Sequence, residues 1–203
     1  MPPASQRSVT REVRVVTPAD AYASATDTEL LAAVRAERAS AWAALVRRHS
    51  PKMYAVARSF QLDPRTAEDL VQTAWLRLLE RGDQLRDAAS VGPWLAMVVR
   101  NEARKLVTRG RTVPVADSFE RRHDDGRPID AGLLIDERAA ALRTAFARLG
   151  DDCRQLLRLV TADPPISYDE IAAALGRPRG ALGPSRARCL EHLRRALPPG
   201  FER

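Results

Sequence analysis

Apolar residues recur along this chain at helical spacing, and no segment alternates convincingly enough to predict a strand. Thr26 or Asp27 can cap a first helix that carries Leu30, Leu31 and Val34. A second apolar series runs through Trp42, Leu45 and Val46 to Met53, Tyr54, Val56, Ala57 and Phe60, with Pro51 predicted to kink or restart the helix. The clearest helix opens at Asp63-Pro64, since Asp is a favoured N-cap and Pro suits the first helical position. Ala67, Leu70, Val71, Ala74, Trp75, Leu78 and Leu79 then form one continuous apolar stripe, which Arg81-Gly82-Asp83 ends. Another helix starts at Gly92-Pro93 and passes through Trp94, Leu95, Val98, Val99 and Leu106 to about Thr108.

The helical pattern lapses between Thr112 and Glu137, where Pro114, Gly126, Pro128 and Gly132 interrupt a polar run. It resumes over Ala139–Leu149 and Cys153–Val160. Ser167 with Glu170 three residues on is a capping box, in which each side chain satisfies a backbone donor at the helix start. Ile171, Ala174 and Leu175 give that short helix its buried face, Gly176 stops it, and a basic helix continues to about Ala196. Two short helices around a glycine turn match a helix-turn-helix. The chain is therefore predicted to be all-α. Two small helical domains, residues 26–109 and 136–197, are joined by an acidic flexible linker, 110–135, with the helix-turn-helix in the second. A flexible arm, 1–25, precedes them and a tail, 198–203, follows, with no further domain expected after it.

Composition adds a charge of +7 on 203 residues, which favours a polyanionic partner. Its distribution says more than its total. Arg100, Arg104, Lys105, Arg109 and Arg111 cluster against Glu102 alone. Six arginines between Arg177 and Arg195 stand against Glu191 alone, while three arginines in Thr112–Glu137 are outnumbered by seven carboxylates. Two basic helical patches on an acidic tether suit two-point binding to one chain of phosphates, because each neutralised phosphate releases a counterion.

Several classes drop out. No run of about 18 uninterrupted apolar residues exists to cross a membrane, and Met1–Arg14 lacks the apolar core of a secretory signal. The only cysteines are Cys153 and Cys189, read as two small buried residues; their scarcity fits a reducing cytoplasm. No CxxC, HExxH, phosphate-cradling glycine loop or GxSxG is present, so no metal, cofactor or catalytic residue is expected.

Opposite the stripe of the Pro64 helix lie Asp69, Thr73, Leu76 and Glu80, with Gln72 beside them. A leucine rimmed by polar side chains suits protein docking, although scattered surface leucines are common. Trp94 beside Arg and Asn can stack on unpaired bases, or it can be core. In the helix-turn-helix, Ser185, Arg186 and Arg188 are placed near base edges and Arg177 and Arg179 on the backbone.

Three segments together resemble bacterial RNA polymerase sigma factors of the extracytoplasmic-function group of the sigma-70 family. Ala67-Glu68-Asp69-Leu70-Val71-Gln72-Thr73-Ala74-Trp75-Leu76-Arg77-Leu78 is similar to the family's polymerase-binding helix. Pro93-Trp94-Leu95-Ala96-Met97-Val98-Val99-Arg100-Asn101-Glu102-Ala103-Arg104 is similar to its −10 segment, and Ile166 to Gly176 resembles its −35 helix-turn-helix. The resemblance implies a non-enzymatic initiation factor that binds core polymerase, reads both promoter elements and assists melting. The implied partners are the clamp of the largest polymerase subunit, the flap of the second-largest, promoter DNA and, as a further candidate, an anti-sigma factor. It places Asp69, Gln72, Thr73 and Leu76 on the polymerase face. It places Trp94, Arg100, Asn101, Arg104, Lys105 and Arg109 at the −10 element, and Arg177, Arg179, Ser185, Arg186 and Arg188 at the −35 element. The loop Gly82–Ser90 corresponds to the one that captures a flipped base, and the linker to a segment threading toward the polymerase active centre.

The chain departs from the family at Ala181-Leu182-Gly183-Pro184-Ser185, where many members carry a TVKSR-like run. Pro184 implies a recognition helix that begins near Gly183 or is distorted at its start. Leu95 stands where housekeeping relatives have a second Trp, which implies weaker melting and stricter promoter choice. The alternative to this reading is a conventional dimeric helix-turn-helix regulator. A pure protein-interaction module, such as an anti-sigma antagonist, fits the linker but neither basic patch.

Overall fold

The computed structural model describes residues 22, 24–82, 85, 87–110 and 129–201. Most of the arm, residues 1–21, and most of the linker, 111–128, lie outside the described residues. Among the described residues the regular structure is helical throughout: α1 Asp27–Arg35, α2 Ala39–Ser59, α3 Pro64–Arg81, α4 Val91–Thr108, α5 Ile129–Ala147, α6 Asp151–Val160, α7 Tyr168–Leu175 and α8 Arg179–Ala196. The all-α expectation holds.

The chain groups into two compact units, Met1–Val46 and Arg47–Arg203. In the first, Thr26 caps α1 in a full capping box: Thr26 Oγ1 accepts from Glu29 N at 3.3 Å, and Glu29 Oε2 accepts from Thr26 N at 2.7 Å. Leu30, Leu31, Ala41, Ala44 and Leu45 are its buried apolar side chains.

The second unit holds the rest of α2. Pro51 does not restart that helix, which runs unbroken from Ala39 to Ser59. Pro51 is exposed, so its ring lies at the solvent face of the helix and not in the core. In α3, Asp63 caps as expected, accepting from Thr66 N at 3.0 Å with Pro64 in the first turn. Its stripe buries Ala67, Leu70, Val71, Ala74, Trp75 and Leu78. Leu79 departs from expectation at 63% exposed. On the helical wheel it falls between Trp75 and the exposed Gln72, at the stripe's edge. α4 packs on α3 and buries Val91, Gly92, Leu95, Ala96, Val98, Val99 and Ala103.

α5 starts at Ile129, ten residues before the pattern predicted, within the stretch read as linker. α6 contributes Leu156, Leu157 and Leu159 to the core. Cys153 and Cys189 are not two separate thiols: they form a disulfide that joins α6 to α8, with Cα atoms 5.3 Å apart.

α7 has the expected capping box, with Ser167 Oγ accepting from Glu170 N at 3.3 Å and Glu170 Oε2 accepting from Ser167 N at 2.7 Å. Gly176 stops it in the left-handed region at φ 64°, a conformation that only glycine adopts cheaply. Arg177 N donates to Ala172 O at 3.0 Å, closing the helix end. α8 begins at Arg179 rather than near Gly183, so Pro184 lies inside it. Gly180, whose carbonyl would have received the Pro184 N–H, is exposed and its surroundings are open, which lets the helix tolerate the proline.

Candidate nucleic-acid interface

A groove of about 870 Å³ opens between α3, α4 and the segment that joins them. α3 supplies Arg77 and Arg81; the connection supplies Leu85, Asp87 and Ser90; α4 supplies Trp94, Met97, Val98, Asn101, Glu102, Arg104 and Lys105. Helical spacing explains the α4 set. Trp94, Met97, Asn101 and Arg104 follow one another at intervals of three or four residues and share one face, while Leu95 and Val99 turn to the core. Asp87 shapes the rim, accepting from Ala89 N at 3.0 Å and Ser90 Oγ at 2.9 Å to hold a short 3-10 turn, Ala88–Ser90.

Trp94 is half-buried and lines this groove. Glu102 sits between two cations, 2.9 Å from Arg77 Nη2 and 2.9 Å from Lys105 Nζ. Four cationic side chains face two carboxylates across the groove, a net positive lining. Its size is ample for an unstacked nucleotide, with an aromatic plane, an amide and guanidinium groups in reach.

Of the six residues assigned to the −10 element, the structure brings Trp94, Asn101, Arg104 and Lys105 together. Arg109 is exposed at the end of α4 and does not line the groove. Arg100 does not line it either. Its guanidinium donates to Asn101 Oδ1 at 3.2 Å and reaches Gly176 of α7, where an added Cβ would collide with it. Arg77 and Arg81 were missed. They sit on α3, in the segment read only for its docking face, and no local pattern tells which side α4 will cover.

On the helix-turn-helix, Arg186 and Arg188 are exposed, and Ser185 is half-buried. Arg188 Nη2 donates to Ser185 Oγ at 3.5 Å, and Arg186 Nη1 to the Tyr168 hydroxyl at 3.4 Å. Arg177 and Arg179 already have carboxylate partners: Arg177 pairs with Asp152, and Arg179 Nη1 donates to Asp169 Oδ2 at 2.9 Å and Oδ1 at 3.1 Å. On α3, Asp69, Gln72 and Leu76 are exposed and Thr73 is half-buried, its hydroxyl donating to Asp69 O at 2.9 Å. Leu76 is 60% exposed, and Leu79 beside it extends the apolar surface. No group of three or more His, Cys, Asp or Glu among the described residues can hold a metal ion, and no helix is long and apolar enough to cross a membrane.

The fold is that of an all-helical protein ending in a helix-turn-helix. The sigma-70 region 2 family model matches residues 45–112, which span α3, α4 and the groove. The chain is 31% identical over 154 residues to a probable RNA polymerase sigma factor, RfaY, of Xanthomonas campestris pv. campestris, covering 73% of this chain and 38% of that protein's length. It is 27% identical over 183 residues to the RNA polymerase sigma-H factor of Pseudomonas aeruginosa, covering 85% of this chain and 94% of that one. Two solved structures share the fold at a TM-score of 0.54 each. One is CnrH in complex with the cytosolic domain of CnrY, 24% identical, covering 83% of this chain and 95% of that one. The other is the sigma factor RpoE of Bartonella quintana in complex with the anti-sigma factor NepR, 20% identical, covering 76% and 95%. Residues 45–112 thus carry a sigma-70 region 2, and the curated proteins that the chain is similar to are RNA polymerase sigma factors.

Proposed function

We propose that this chain is a transcription initiation factor that binds core RNA polymerase, directs it to promoters and helps separate the strands. It is not itself an enzyme; the polymerase makes the RNA. The observation that carries the reading is the groove, where α3, α4 and their connection place Trp94, Asn101, Arg104 and Lys105 around a space fit for an unstacked base. Unstacking costs a few kcal/mol, which stacking on Trp94 and hydrogen bonds to the captured base would offset. Arg100 and Arg109 would add phosphate contacts at the −10 element. Arg186, Arg188 and Ser185 would read the −35 element, with Arg177 and Arg179 on its backbone. Asp69, Gln72, Thr73 and Leu76, with Leu79 added, would dock on the clamp of the largest subunit, and the C-terminal helices on the flap of the second-largest. Such a chain acts where polymerase and DNA are, in the cytoplasm. An anti-sigma factor is a further partner of this reading, because the RpoE neighbour is solved with one.

The test begins with core polymerase. Asp69→Arg with Leu76→Ala should abolish core binding in a pull-down while circular dichroism stays unchanged. Retained binding would refute the docking face. At a promoter mapped by in vitro transcription, Asn101→Ala with Arg104→Ala should cut permanganate reactivity of −10 thymines more than closed-complex formation. Equal loss of both would leave only phosphate anchoring.

A further inference from the structure

Asn101 lines the groove, and Arg100 beside it in sequence does not. Arg100 Nη1 nevertheless donates to Asn101 Oδ1 at 3.2 Å. A guanidinium has donors only, so it can hold a side-chain amide by its oxygen and by nothing else. The end of the amide left to face the groove is Nδ2, a donor. A side chain that can otherwise turn over and offer either end is thereby fixed as a donor.

The charged groups of the groove point the same way. Arg77, Arg81, Arg104 and Lys105 carry donors only. The two carboxylates are already engaged. Asp87 spends both oxygens on its own turn, Oδ1 on Ala89 N and Oδ2 on Ser90 Oγ. Glu102 Oε1 lies 2.9 Å from both Arg77 Nη2 and Lys105 Nζ, so two cations compete with any ligand for it. A base captured here therefore meets mostly donors. Thymine and guanine carry a carbonyl oxygen, O4 or O6, where cytosine and adenine carry an amino group on N4 or N6. An amino group aimed at Nδ2 sets donor against donor, and a polar group left unmatched costs more than a good hydrogen bond gains. We infer that the groove selects a keto base, thymine or guanine, over an amino base, and that Arg100 is the positioning residue that sets this preference through Asn101. The inference rests on the promoter-directing reading, whose captured base it specifies.

Holoenzyme, this chain with core polymerase, is titrated with single-stranded non-template oligonucleotides of a promoter mapped by in vitro transcription. An abasic residue stepped along the −10 element locates the captured base: its penalty is the one that Trp94→Ala abolishes. Each of the four bases is then placed at that position and the dissociation constants are compared. Wild type should bind thymine and guanine about tenfold more tightly than cytosine and adenine. Asn101→Asp sets an acceptor where Nδ2 stood and should reverse that order. Arg100→Ala releases the amide to turn over and should collapse the ratio toward one. The ratio separates positioning from phosphate contact, because losing a phosphate contact weakens all four oligonucleotides alike and lowers the salt dependence. Equal affinity of wild type for the four bases, a preference for cytosine or adenine, or a ratio unmoved by Arg100→Ala would overturn the inference and leave the promoter-directing reading standing. A wild-type chain that binds no core, or shows no base coupled to Trp94, removes that reading and the inference together.

Discussion

Asp63 secures the start of α3 with both carboxylate oxygens. Oδ1 accepts from Thr66 N at 3.0 Å and Oδ2 from Thr66 Oγ1 at 2.6 Å. Hydrogen bonds to a carboxylate favour its ionised form, and the side-chain and backbone donors of Thr66 hold the Asp63 pKa below its ordinary 3.8. Glu29 behaves alike in the α1 capping box, its pKa lowered by the backbone and side-chain donors of Thr26. Because the folded pKa lies below the unfolded one, the stabilisation is fully present above about pH 4 and is lost as pH falls through the folded value. Asp63→Asn keeps a capping oxygen but removes the titration. Thermal melts followed from pH 6 to pH 2 should fall less steeply below about pH 4 in Asp63→Asn than in wild type. Parallel profiles would show that Asp63 is not bonded in this way.

The α6–α8 pairing turns on Cys153 and Cys189, which close a loop of sequence separation 36. In the chain-entropy model such a crosslink stabilises by about 4 kcal/mol, by restricting the unfolded chain. Thiol reductant should therefore lower the urea midpoint of wild type, and the Cys153→Ser, Cys189→Ser double variant should match reduced wild type and ignore reductant. No response of wild type to reductant would contradict the crosslink. This pairing also marks where sequence reading stopped. The starts of α3 and α7 were legible because a cap is a local device: Asp63 with Pro64, and Ser167 with Glu170, each lie within four residues, whereas at α1 the sequence left Thr26 and Asp27 both open as the cap. The buried stripe of α3 was legible for the same reason. The disulfide, the turning of Arg100 toward Gly176 and the entry of Arg77 and Arg81 into the groove depend on residues far apart in sequence, and no periodicity encodes them. Leu79 and Pro184 misled for a third reason. Each was judged by a rule for its type, while exposure at the stripe's edge and at Gly180 decided the outcome.

The chain carries a charge of +7, and among the described residues some cations have carboxylate partners while others are exposed. Arg177 and Arg179 are bound to Asp152 and Asp169, so phosphate would have to displace a carboxylate and leave it bare beside DNA. Arg104 in the groove and Arg186 on α8 are exposed. Each neutralised phosphate contributes about 0.9 to the slope of log binding constant against log salt on duplex DNA, and about 0.7 on single strands. If both halves grip one promoter, Arg104→Ala and Arg186→Ala should each reduce the slope for the holoenzyme by about 1, and together by about 2. Arg177→Ala with Arg179→Ala should reduce it by less, because those charges are already half-spent on carboxylates. Filter binding from about 50 to 200 mM salt resolves differences of this size. A helix-turn-helix regulator that reads DNA through α8 alone would lose slope with Arg186→Ala and keep it with Arg104→Ala. The groove variant is therefore the one that separates a two-point promoter reader from a one-point DNA binder built on the same C-terminal helices.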